Sequence, residues 1–361
     1  MARKKSKSRA TTAESRIDIE KVSVRTERKE LVWLGGKRQE IDVYRIPIKH
    51  LYFNIENGRY ADKMIQLKAD NPGVEIDPRE TKWRNSIWQM LKGEYKGTEA
   101  DKEAFTRLRA DILARQQLRP GVALSDGGVL DGNRRLAVLL DLHANEANPT
   151  RHEYFDGVIL PEETSEDDRW RIEAGLQIGR DERLDYSPIN RLLKIKQGLE
   201  IFSGNGKPAD EIANTLVGIS KVEVEKDIAK IRLIDEYLAF ISKPSGYHLV
   251  TGLVERFEEA LNALEAAKKA KWAPDKVAAL KTKLFSIIRF ELMTNWEMRD
   301  IWRAMGVTGK GKSGRYKNDR VLTDFLKTDE TVARVKTALE KRDRQFEKSE
   351  KDKSEAFLDQ S

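Results

Sequence analysis

The hydrophobic pattern of this chain changes once, at Pro161, and that change limits the architecture more than any other feature. Before it, short β-type runs are interleaved with amphipathic helices. LVWL (31–34), the pair Gly35-Gly36 and IDVYRIPI (41–48) predict two strands around a turn. DKEAFTRLRADILARQQL (101–118) places Phe105, Leu108, Ile112 and Leu113 on one helical face and stops at Arg119-Pro120. GVALSDGGVLDG (121–132) reads as strand, Asp-Gly-Gly turn, strand; NRRLAVLLDLHA (133–144) as a helix; and YFDGVIL (154–160) as a further strand. Beyond Pro161 only helical periodicity remains, at 165–179, 188–203, 208–217, 221–242, 249–268, 275–293, 296–305 and 331–350. The expected fold class is therefore α+β: a small α/β domain followed by an all-helical half.

The boundaries expected on this reading are a basic flexible arm at 1–30, the α/β domain at 31–164, a helical domain at 165–243 and a C-terminal helical module at 244–361. Residues 61–103, rich in turn signals, form an insertion carrying the short amphipathic piece WRNSIWQML. Trp83 and Trp88 there suggest a small local core. Trp296 and Trp302 read as core packing.

Composition narrows the chemistry. Of 361 residues, 67 are Lys or Arg and 60 Asp or Glu, so the net charge is +7, but 35% of residues are charged against roughly 25% in an ordinary globular protein. That suits a polyanionic partner and a heavily charged surface. With no cysteine, disulfides, thiolate metal sites and thiol nucleophiles are excluded. The four histidines (His50, His143, His152, His248) include no i, i+4 pair, and no metal site is expected. The start, MARKKSKSR, is basic without the apolar segment of a signal peptide, and no run reaches the length of a membrane span. A cytoplasmic, nucleoid-associated protein with no membrane contact is expected.

The densest local signal is VLDGNRRLAVLL (129–140), where a hairpin ends at Asp131-Gly132 and a helix begins. Amides at a helix start lack intrahelical partners and sit at the positive end of the dipole, which suits an anion. Arg134 and Arg135 add two guanidiniums, and FNIENGRY brings Arg59 after an Asn57-Gly58 turn. Equally, either arginine of the pair could serve only to neutralise Asp131 or Asp141. Asp131 is also the one acid here that invites a role as base or metal ligand.

RLRADILARQQLRPGVALSDGGVLDGNRRLAV resembles the core of the ParB/sulfiredoxin superfamily. Asn54, Asn57 and Arg59 match the spacing of an upstream box in that family, and RDERLDYSPINRLLKIKQGL (180–199) a downstream one. The resemblance implies a nucleoside triphosphate, CTP or ATP, with its phosphates held by Arg59, Gly132, Asn133, Arg134, Arg135 and Arg183. The chain departs from the family at Asn133, where a Cys or Glu is usual. It also departs at Gly179 and Arg180, which stand where an acid–amide pair helps hold metal and triphosphate. Sulfinic-acid repair is excluded, and Mg2+ is not assigned.

PADEIANTLVGISKVEVEKDIAKIRLI (208–234) carries a helix-turn-helix pattern: Ile212, Ala213 and Leu216, then Gly218, then Val224, Ile228 and Ile231. Ser220, Lys221, Lys226 and Lys230 would meet DNA; a plain helical hairpin explains the same pattern. GVTGKGKS (306–313) fits a P-loop string but follows a helical segment. Its better reading is a basic loop in which Lys310, Lys312, Arg315 and Lys317 contact a nucleic-acid backbone, with a merely solvated loop as an equal alternative.

The expected function is a ParB-like DNA-binding protein, as in plasmid partition, whose N-terminal domain binds a nucleotide phosphate and regulates DNA engagement or self-association. Its partners would be DNA, a second copy of the chain and proteins of the same operon. Two other readings stand beside it: an NTPase or nuclease-like component of a DNA-modification or phage-defence system, and a nucleotide-free adaptor for other proteins.

Overall fold

The structure, a computed structural model, describes residues 18–95, 99–177, 187–216 and 218–291, together with 295, 298 and 299. They fall into two compact units, divided between Glu225 and Lys226.

The first unit is built on a mixed sheet of six strands: β1 (Val24–Leu34), β2 (Lys37–Pro47), β3 (Tyr52–Phe53), β4 (Gly121–Leu124), β5 (Gly128–Asp131) and β6 (Tyr154–Leu160), in the order β1-β2-β6-β4-β5-β3. β1/β2, β2/β6 and β4/β5 are antiparallel; β4/β6 and β3/β5 are parallel. Strand residues alternate between the two faces, as the two-residue period requires. Ala123, Val129 and Ile159 join the larger core, while Val122, Leu130 and Val158 face a smaller one.

The larger core takes side chains from α1 (Ala61–Asp70), α2 (Thr81–Lys92), α3 (Glu99–Arg115) and α4 (Asn133–Asn145). The smaller one is closed by Ile172 and Leu176 of α5 (Glu166–Gln177). The unit continues through α6 (Pro188–Ile201) and α7 (Pro208–Thr215).

Two expectations need correction here. Residues 24–30 belong to β1 and not to a flexible arm, and Ile19 is already buried, its amide donating to the Ser125 carbonyl at 3.3 Å. The early strand escaped pattern reading because VRTERKE is polar on both faces and a bulge between Arg25 and Lys29 breaks its alternation. The stretch 61–103 has no small core of its own. Trp83, Ile87, Met90 and Leu91 enter the main core, and the Trp88 indole donates to the Ala137 carbonyl at 3.2 Å. It holds two complete helices where one short piece was expected.

The second unit contains the greater part of α8 (Lys221–Phe240), then α9 (Val254–Lys269) and α10 (Pro274–Arg289). Tyr237 stands edge-on to Phe257 and Phe285, at centroid distances of 5.1 and 5.5 Å. α9 begins at Val254 and not at 249 because residues 247–253 form a tighter 3-10 turn. The helices expected at 296–305 and 331–350 lie outside the described residues, save that Met298 and Arg299 are helical.

Candidate functional site

The junction of β5 and α4 is fixed by close packing. Gly132 stands at φ 103°, and a Cβ there would lie 2.8 Å from the ring of Phe155. A Cβ on Gly121 or Gly157 would lie 2.2 or 2.9 Å from the same ring, so Phe155 occupies the space where three side chains would begin. Asn133, the first residue of α4, is 3% exposed. Its amide donates to the Val129 carbonyl at 2.7 Å, and its oxygen accepts from the Asn54 amide at 2.9 Å. The Asn133 side chain is therefore taken up in joining the upstream loop to the hairpin, and only its backbone amide stands at the helix start.

The adjacent arginines differ. Arg135 donates to the carbonyls of Arg119 (2.6 Å) and Pro120 (3.0 Å) and to Asp131 Oδ2 (2.6 Å). Of the two roles open to it, Arg135 thus takes the structural one, a clasp with Asp131 as its buried counter-ion. Arg134 has no such clasp. Its side chain is 13% exposed, its Nε is buried with no hydrogen-bond partner, and among the described residues its nearest carboxylate, Asp101 of α3, lies 3.7 Å away.

Burial, and after it the charge of Arg59, lowers the Arg134 pKa from 12.5 to about 10, partly offset by Asp101. It remains a cation at neutral pH, but holding that charge costs on the order of 3 kcal/mol, which a bound anion would offset. Lys63 of α1 adds a third cation, its ammonium 3.7 Å from the other oxygen of Asp101. Within α4 the first hydrogen bond runs from the Leu136 amide to the Gly132 carbonyl, so the amides of residues 133–135 precede the helix's own bonding. The arrangement supplies charge and donors: three cations, one carboxylate and a helix start.

Arg59 is held by its backbone. Asn57 caps a short 3-10 turn by accepting from the Arg59 amide at 3.0 Å. The Arg59 carbonyl accepts from Asn190 of α6 at 2.8 Å, and Asn190 in turn accepts from the Asp62 amide at 3.0 Å. The Gly58 amide donates to Glu173 of α5 at 2.9 Å. Glu173 and Lys194 of α6 form an ion pair at 2.8 Å, both side chains 2% exposed. Lys63, Asp101, Glu173, Asn190 and Lys194 were not singled out in the sequence. A glutamate within the apolar run of α5 was the one available signal, and it is common on amphipathic helices. Arg183 lies outside the described residues.

Comparison with protein-family models, with curated proteins and with solved structures finds no match.

The remaining expected contacts are less favourable to DNA. Ser220 is the cap of α8: its hydroxyl accepts from the Glu223 amide at 3.2 Å, and its own amide donates to the Glu223 carboxylate at 2.8 Å. Lys221 pairs with Asp210 at 2.7 Å and Lys226 with Glu258 at 2.6 Å. Lys230 is 7% exposed and pairs with Asp227 and Glu258, which removes it from any DNA-facing surface. Lys310, Lys312, Arg315 and Lys317 lie outside the described residues. Among the described residues no helix is long and apolar enough to cross a membrane, and no three His, Cys, Asp or Glu side chains cluster as metal ligands would.

Proposed function

We propose that the first unit binds a phosphate group of a nucleotide, CTP or ATP, against Arg134, Arg59 and the start of α4. The observation that carries this reading is Arg134 itself: a nearly buried guanidinium beside a second one, with an unpartnered Nε and no short ion pair. Protein interiors rarely leave such a group without strong hydrogen bonds, and phosphate is the anion whose geometry a guanidinium matches best. A helix start next to it adds donors and favourable field. The resemblance to the ParB/sulfiredoxin superfamily supports the same ligand from the pattern of the sequence.

DNA is the second partner on this reading, engaged through the basic segments at 3–9 and 310–320 and not through α8, whose lysines are already neutralised by acids of the same protein. Equilibrium dialysis of labelled CTP and ATP against the full chain, with and without duplex DNA, tests the proposal. Saturable binding of one nucleotide supports it; no retention of either at millimolar concentration overturns it. Release of product phosphate in the same samples decides between a binding protein and the NTPase reading.

A further inference from the structure

Lys63 belongs to no motif of the sequence, yet the structure buries it beside the anion site. The residue is 8% exposed. Among the described residues its ammonium makes no hydrogen bond, and its one ion pair, with an oxygen of Asp101, is 3.7 Å long. That distance gives Coulomb attraction without a hydrogen bond. An ammonium has three donors and holds its hydration strongly, so a buried one lacking an acceptor is as unusual as the unpartnered Arg134 Nε. The two groups are neighbours. The other oxygen of Asp101 lies 3.7 Å from Arg134 Nη2, so the cationic heads stand within two such contacts and one carboxylate width of each other.

Asp101 is a fixed member of this group. Gly93 ends α2 in the left-handed conformation, and a Cβ there would lie 2.8 Å from the Lys102 amide nitrogen and 2.9 Å from the Asp101 Cβ. The two helix ends meet at the backbone, and Asp101 has a further interaction besides those with Lys63 and Arg134. Its carboxylate holds the two heads apart and offsets part of their mutual repulsion. At 34% exposed, it also marks where solvent reaches the space beside them. The cations come from separate elements: Lys63 is the third residue of α1, and Arg134 the second of α4. Two heads from two helices, each short of an acceptor and kept apart by a carboxylate that stays in place, suit successive phosphates of one chain better than a single phosphate.

We propose that Lys63 is a second phosphate-binding residue, receiving the phosphate next to the one held by Arg134, so that the site takes a chain of at least two phosphates. This rests on reading the Arg134 site as phosphate-binding, and it adds to that reading both a residue and a ligand class. A nucleoside diphosphate or triphosphate supplies acceptors to both heads, whereas a monophosphate leaves the Lys63 ammonium as it stands.

Calorimetric titration of the full chain with orthophosphate and with pyrophosphate tests this in wild type, Lys63→Gln and Arg134→Ala, the melting temperature of each being measured alongside. Wild type is expected to bind pyrophosphate at least tenfold more tightly than orthophosphate. Lys63→Gln is expected to lose about thirtyfold in pyrophosphate affinity and less than threefold in orthophosphate affinity, and Arg134→Ala to lose both. Pyrophosphate carries up to about twice the charge of orthophosphate, so a charge acting only at a distance would give a pyrophosphate loss no larger than the square of the orthophosphate loss. That result, or an unchanged pyrophosphate affinity, overturns the Lys63 contact and leaves the Arg134 reading intact. Equal affinity of wild type for the two anions overturns it as well, whatever the stability of the variants. Equal binding by wild type and Arg134→Ala, or no binding of either anion by wild type, overturns the phosphate reading and the role of Lys63 with it.

Discussion

At the residue scale, Arg134 and Arg135 show how adjacent identical side chains acquire opposite roles. Arg135 holds two carbonyls and the buried Asp131, so Arg135→Ala removes three hydrogen bonds and an ion pair and should lower stability by about 2–4 kcal/mol, read as a drop in melting temperature. Gly132→Ala should cost at least about 1–3 kcal/mol by the same assay, because a side chain at φ 103° is strained and its Cβ would press on Phe155. The sequence could place both arginines at a helix start but could not divide them. Which guanidinium meets Asp131 depends on the carbonyls of Arg119 and Pro120, and the i, i+4 spacing from Asp131 to Arg135 was its only trace. The structural role of the Asn133 side chain was hidden for a related reason: its partners, Val129 and Asn54, become neighbours only when β3 lies beside β5.

At the scale of elements, the loop bearing Arg59 is attached to α5 and α6 through Glu173, Lys194 and Asn190. Lys194→Met removes the counter-ion of a buried carboxylate and should cost about 3–5 kcal/mol, whereas the double change Glu173→Leu with Lys194→Met should recover part of that loss; chemical denaturation of the two measures it. On α9, burial works against the Glu258 carboxylate, but hydrogen bonds and charges from Lys226 and Lys230 of α8 outweigh it and hold its pKa below the ordinary 4.5. A carboxylate lowered on folding contributes stability that is present above that value and lost as pH falls through the folded one. The acid limb of a pH–stability curve should therefore be shallower in Glu258→Gln than in wild type.

Helices were the most legible elements, since α4, α6, α7 and α8 begin at or next to where capping and periodicity put them. β1 was read seven residues short because its bulge and polar composition erase alternation. The helices of 61–103 were read as peripheral because nothing local distinguishes a tryptophan in a satellite cluster from one in the main core.

At the scale of the molecule, the near balance of 67 basic and 60 acidic residues leaves room for internal pairing, and α8 shows it: each of its lysines that was expected to meet DNA already faces an acid. What singles out the first unit is a place where pairing is incomplete. Arg134, with its Nε unpartnered, feels the charge of Arg59 and lies 3.7 Å from Asp101 at a helix start. The central claim is that Arg134, and not its neighbour, holds a phosphate. The most direct measurement is the affinity of CTP and ATP for wild type, Arg134→Ala and Arg135→Lys, by calorimetry at a temperature where all three are folded. The expected result is at least a hundredfold loss in Arg134→Ala with affinity close to wild type in Arg135→Lys. Equal affinity in wild type and Arg134→Ala would contradict it.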